Sequence, residues 1–148
     1  MYQNQKPSES FSVLATIDPA SVPASVVVSP YAPIKNHFAL VALIDAGVFG
    51  AGATVDAKLR QAQDAAGTGV KDIPGKSITQ LVAAGGNNRQ VMINMKVADL
   101  DTENGFAFVC LQVTVGGSAT FISVALLGFF AHYQDAAQFN QAGVAQIV

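Results

Sequence analysis

The stretch GTGVKDIPGKS, residues 67–77, ends in Gly75-Lys76-Ser77, the triplet that closes a nucleotide-binding P-loop. A P-loop converges successive backbone N–H groups on a phosphate, which requires four residues between its first glycine and its Gly-Lys pair. Here five residues separate Gly69 from Gly75, and Pro74 removes an amide donor where the loop must offer one. The preceding KLRQAQDAA is not the buried apolar strand from which such a loop springs. Glycine, aspartate and proline acting as turn formers account for the same letters. The stretch is expected to turn the chain and to hold no phosphate.

The carboxylates are the next candidates. Asp99, Asp101 and Glu103 alternate like the opening of a calcium loop, which needs glycine at its sixth position and glutamate at its twelfth. Gly105 falls one place late and Cys110 stands where the glutamate belongs, so a solvated turn is expected. Asp56, Asp64 and Asp72 recur every eight residues without a shared face that the sequence defines. His37 and His132, the only histidines, bracket apolar strands, as amphipathic rings at the rim of a core do, and they have no metal-site spacing. The single cysteine, Cys110, sits in an apolar run and is expected to be a buried, inert thiol. No serine occupies a Gly-x-Ser-x-Gly elbow. The expectation is a chain with no catalytic residues, no cofactor-binding residues and no metal ligands.

Composition directs attention to surfaces instead. Charged residues make up 12% of the 148, against about a quarter in an ordinary soluble domain. Hydrophobic residues reach 51%, enough for one domain with a substantial core. A chain so poor in charge either has a neutral surface or is covered by copies of itself or by a partner, because interface cores are depleted in charge. The net charge is −2 and the eight basic residues are scattered, which argues against nucleic acid. The longest apolar run, residues 121–131, is about half the length of a membrane helix, and the polar N-terminus has no signal-peptide core. No membrane partner is expected.

The positioning elements are mostly strands. Residues 11–17 and 25–29 are β-rich and are closed by prolines at 19 and at 30 and 33. Residues 37–47 and 121–131 are apolar on both faces, as expected of strands buried between layers. A flexible link follows through Gly47, Gly50 and Gly52. Residues 53–67 fit strand and helix periods equally. Ser77 is a candidate helix start, with a glycine stop at 85–86. Residues 90–97 alternate as a strand. Residues 106–115 and 120–133, joined by Gly116-Gly117-Ser118, predict an antiparallel hairpin. The sum is an all-β sandwich or jelly roll of about seven or eight antiparallel strands with one short helix. Its organisation is an N-terminal arm over 1–10, a sandwich over 11–133 and a C-terminal tail over 134–148.

The segments ATVDAKLRQAQDAAGTGVKDIPGKSITQL and ADLDTENGFAFVCLQVTVG, with the terminal VAQIV, resemble small virion proteins of tailed bacteriophages. The chain looks most like the jelly-roll capsid decoration, or cement, proteins. The likeness covers roughly residues 38–115 and does not extend to the first 35. It implies that residues 53–61 form a strand and supplies no catalytic residues. It also implies a non-enzymatic protein on the outer surface of the virion capsid, assembled in the host bacterial cytoplasm. Its partners would be the major capsid protein and itself, as a homodimer or homotrimer. The alternative is a lectin-like glycan-binding module of a head or tail fibre, for which Tyr31, Tyr133 and Phe139 are the available aromatic residues.

Overall fold

A computed structural model describes residues 4–132 and 134–148. Period-two burial governs it. On residues 37–49, Leu40, Ala42, Ile44 and Ala46 are buried while Val41, Leu43 and Asp45 between them are not. The strands are β1 (Phe11–Val22), β2 (Ser25–Val28), β3 (Ala32–Pro33), β4 (His37–Phe49) and β5 (Thr54–Ala62), followed by β6 (Lys71–Ser77), β7 (Leu81–Val82), β8 (Arg89–Lys96), β9 (Phe108–Gly116) and β10 (Thr120–Ala131). One helical turn, α1 (Ala83–Gly86), sits between β7 and β8. All pairings are antiparallel.

Sheet A has the order β1-β10-β4-β8, and sheet B has the order β2-β9-β5-β6, with β3 on β9 and β7 on β5. Setting aside the two-residue β3 and β7, the chain crosses between sheets at every connection except β5–β6. That order, four strands per sheet from two interlocked Greek keys, is the jelly roll. Leu40, Ile44, Val55, Leu59, Leu111 and Leu126, none more than 1% exposed, fill the space between the sheets. Burial of each such side chain contributes about 1.5–3 kcal/mol.

Several sequence expectations give way. Residues 106–133 form no hairpin: β9 pairs with β5 along its whole length, and β10 pairs with β1 and β4. Each apolar strand thereby gains two neighbours instead of one, and the two inner faces meet across the core. Gly117, at φ +74, makes the corner so tightly that a Cβ there would lie 2.5 Å from the Gly52 carbonyl oxygen. Pro19 does not end β1, because the pairing with β10 shifts register between Ile17 and Ala20 and the irregularity absorbs the missing donor. Ser77 starts no helix; it pairs with Lys58 at the end of β6. β4 runs through Gly47 to Phe49, so the flexible link begins later than expected.

Strands β4 and β10 are not buried on both faces. Each packs one face in the core and leaves the other outside. Among the described residues, no second layer of secondary structure lies over sheet A. At its edge, the C-terminal segment runs beside β1: Val13 donates its N–H to Asn140 Oδ1 at 2.7 Å and accepts from Gln141 N–H at 2.8 Å. That contact shields part of an edge strand that would otherwise invite further pairing.

Candidate functional site

The glycine-rich stretch divides into a turn and a strand. Over residues 64–70 the chain folds back around the Asp64 carboxylate. It accepts from the Ala66 and Thr68 amides at 2.9 and 3.0 Å and from the Thr68 hydroxyl at 2.6 Å. The Thr68 hydroxyl, with the backbone donors, holds the Asp64 carboxyl below its usual range. The loop's amides thus already hold an internal anion where a nucleotide loop would hold phosphate. Gly75-Lys76-Ser77 belongs to β6 rather than to the turn, and Lys76 pairs with Asp99 at 3.0 Å.

Gly67 is required in the turn. Its φ is +85, and a Cβ there would come within 2.7 Å of the Tyr31 ring. Gly67→Ala is expected to lower unfolding stability by about 1–2 kcal/mol, from a left-handed backbone plus the clash. Thermal unfolding of the variant checks this, and an unchanged midpoint would contradict it.

The other aspartates do not converge. Asp72 binds Lys58 at 2.7 Å and Arg60 at 2.9 Å, and Lys58 is the first cause of its lowered pKa. Asp101 takes Lys71 at 2.5 Å, which holds its pKa down. Asp99 is lowered first by the Lys96 amide and then by Lys76. Asp56 accepts from the Gln80 amide at 2.7 Å. Each carboxylate has its own partner, and no group of three His, Cys, Asp or Glu with metal-site geometry occurs among the described residues. Exposed pairs of this kind contribute little stability. They matter more by location: every one of these ion pairs has a partner on β6, the edge strand of sheet B.

The two histidines are close enough to interact electrostatically but make different contacts. His132 stacks on Phe38, ring centroids 3.8 Å apart. His37 lies deeper than the core rim expected for it, at 1% exposure. Its Nε2 is 2.8 Å from Ser12 Oγ, and the Ser12 hydroxyl donates to the Ala136 carbonyl. Phe139 packs edge-on against the ring. Since the serine's proton goes to Ala136, the hydrogen on His37 lies on Nε2 and Nδ1 is left as a lone pair. This serine and histidine fasten the C-terminal segment, and the serine points at a backbone carbonyl rather than at open space. Cys110 is buried as expected, and burial raises its pKa. The Tyr31 side chain hydrogen-bonds the Cys110 thiol and Phe139 packs edge-on against His37, and both rings stay part-exposed. Tyr133 lies outside the described residues.

The feature that sequence reasoning did not locate is the outer face of sheet A. Strand pairing places Val13, Leu127, Val41 and Asn94 in one outward row. The next contains Thr16, Ala125, Leu43 and Met92, and the row on the other side contains Phe11, Phe129, Ala39 and Lys96. Met92 is 63% exposed, and Phe121 and Phe130 at opposite ends of β10 are 57% and 68% exposed. A shallow depression of about 510 Å³ opens among Ala39, Val41, Lys96, Phe129 and Phe130. Sheet B is different: Asp56, Lys58, Arg60, Gln112 and Thr114 face outward from β5 and β9. The ion pairs among the described residues thus all involve sheet B. The signal was present in the two strands that are apolar on both faces, once the fold shows that only one face enters the core.

No protein-family model matches the chain, and no curated protein does. Among solved structures, the chain is similar to the C-terminal family 22 carbohydrate-binding module of Clostridium thermocellum Xyn10B. The two share 10% sequence identity over 86% of this chain and 88% of that one, with a TM-score of 0.39.

Proposed function

We propose that this protein is a non-enzymatic capsid decoration protein that binds the outside of a tailed-phage capsid and stabilises it by bridging major capsid protein subunits. The observation that supports this reading most is the segregation of surfaces on the jelly roll. One sheet carries the ion pairs, and the other presents an apolar face that the described residues leave uncovered. A jelly roll hosts many functions, so the fold alone decides none. The resemblance of the central segments to phage cement proteins directs the choice. A lattice of many modest contacts gives large cumulative stability, since each bound copy adds buried area across a junction between subunits.

The second reading, a glycan-binding module, has one observation in its favour. A depression of about 820 Å³ joins Phe38, Phe129 and Phe130 to the polar Glu9, Gln134 and Asp135. Aromatic faces beside hydrogen-bonding groups suit a sugar ring.

One comparison separates the readings. Particles lacking the protein should open at lower temperature than complete particles, and purified protein added back should restore the difference. Wild-type heat tolerance without the protein would remove the cement function. Binding on a glycan array, lost in Phe38→Ala, would then favour the second reading.

A further inference from the structure

We propose that the outer face of sheet A is a two-fold interface on which a second copy of this chain docks antiparallel, with Asp45 of each copy reaching Lys96 of the other. This deepens the self-associating part of the proposed function and rests on that reading. The argument begins with the placement of charge. Lys96 lies in the row of Phe129 and Ala39, while Asp45 lies in the row of Ser123 and Gln90. Six residues along β4 separate Ala39, opposite Lys96, from Asp45. That is about 20 Å at ~3.4 Å per residue, too far for the two to meet within one chain. Among the described residues neither belongs to an ion pair; Asp45 accepts only a neutral amide, from Gln90 at 2.8 Å.

A two-fold axis lying in the interface, perpendicular to the strands and passing between the rows of Val41 and Leu43, reverses the order of the rows. The Lys96 row of one copy then faces the Asp45 row of the other, on adjacent strands ~4.8 Å apart laterally. Across the ~10 Å between packed sheets a lysine side chain spans the remaining distance. The same operation turns Phe121 of one copy toward the depression by Phe129 and Phe130 at the far end of the other. Acid meets base, projecting aromatic meets hollow, and the apolar rows meet each other, so the face is complementary to itself, as an isologous contact must be. A partner of another kind would require no such match between the two ends of one face.

The area is adequate. Four strands and four outward rows give a footprint of about 19 by 27 Å, on the order of 500 Å². Counted over both partners this is about 1,000 Å², the lower bound of a specific interface, and Met92, Phe121 and Phe130 add relief to it.

Sedimentation of the full-length chain, without capsids, tests the proposal. The wild type should show a concentration-dependent dimer. Asp45→Lys and Lys96→Asp should each weaken it by roughly tenfold or more, and the double exchange should recover most of the loss. Leu43→Asp, at the centre, should give a monomer; circular dichroism confirms its fold, and the charge exchange carries the test if it does not fold. A wild type that stays monomeric at all concentrations, or a dimer indifferent to all these changes, overturns the proposal. A monomer that still coats capsids would assign this face to a capsid subunit and leave the cement reading standing. A dimer that ignores capsids would do the reverse.

Discussion

Leu126→Ala should lower the unfolding free energy by about 3–4 kcal/mol, while Leu127→Ala, one residue along the same strand, should cost about 1 kcal/mol or less in dilute solution. Leu126 points between the sheets at 0% exposure, and alanine there leaves a cavity that the close-packed sandwich can only partly fill. Leu127 points outward between Val13 and Val41 and keeps contact with water in the single chain. For a chain of this size the Leu126 change corresponds to roughly 10 °C in melting temperature. Thermal unfolding of both variants at micromolar concentration measures the contrast. The asymmetry should shrink as concentration rises, because Leu127 gains its burial from a neighbouring molecule. Equal losses in dilute solution would mean that both faces of β10 are covered within one chain, and the uncovered face would no longer exist.

The sandwich was legible because strand alternation and turn residues are local signals, and the jelly roll amplifies them through many antiparallel pairs. Pairing partners were not legible. The Gly116-Gly117-Ser118 link looks like a hairpin by every local rule, yet β9 and β10 part into different sheets because each buries more by joining two other strands. Pro19 misled for a related reason: its lost donor matters only if the ladder stays in register, and the ladder shifts there. At residues 53–67 the periodicity is neutral, and the structure makes 54–62 strand β5 and turns the chain after it. Catalytic motifs could be weighed from spacing alone, because a P-loop or calcium loop is a contiguous object. The outer face of sheet A could not, since its residues come from four strands separated in sequence by most of the chain.

The low charge content gains meaning from this arrangement. Twelve per cent charge spread evenly would leave a weakly solvated particle everywhere. The part of it held in ion pairs lies on sheet B and its edge strand β6, where it protects an edge that would otherwise recruit another strand. Sheet A keeps Lys96 at one end of its outward face and Asp45, with Asp18 beside it, at the other, and that sparseness allows an apolar contact to retain a defined orientation.

Acidification should loosen the molecule from within. His37 is buried, and that burial, followed by the proximity of His132, holds its pKa below the usual histidine value. The folded chain therefore keeps His37 neutral, whereas the unfolded chain takes up the proton near pH 6.5. The unfolded state binds more protons as pH falls through that value, so stability is flat above it and declines below it. The slope is up to about 1.4 kcal/mol per pH unit until the folded-state pKa is reached. Asp64, Asp72, Asp99 and Asp101 also have lowered pKa values, but their losses begin only near the ordinary carboxylate range. The interval from pH 6.5 to 5 therefore isolates the histidine. A proton on Nδ1 would have no acceptor among the described residues, and the added charge would sit against Ser12, Phe139 and the Ala136 carbonyl that fasten the C-terminal segment. The Val13 and Gln141 amides should lose protection relative to their intrinsic exchange rates in that interval as the segment detaches from β1. His37→Asn, which cannot titrate, should flatten the dependence of melting temperature on pH. If the wild type melts at the same temperature at pH 5 and pH 7, or the variant retains the wild-type slope, His37 is not the group that responds.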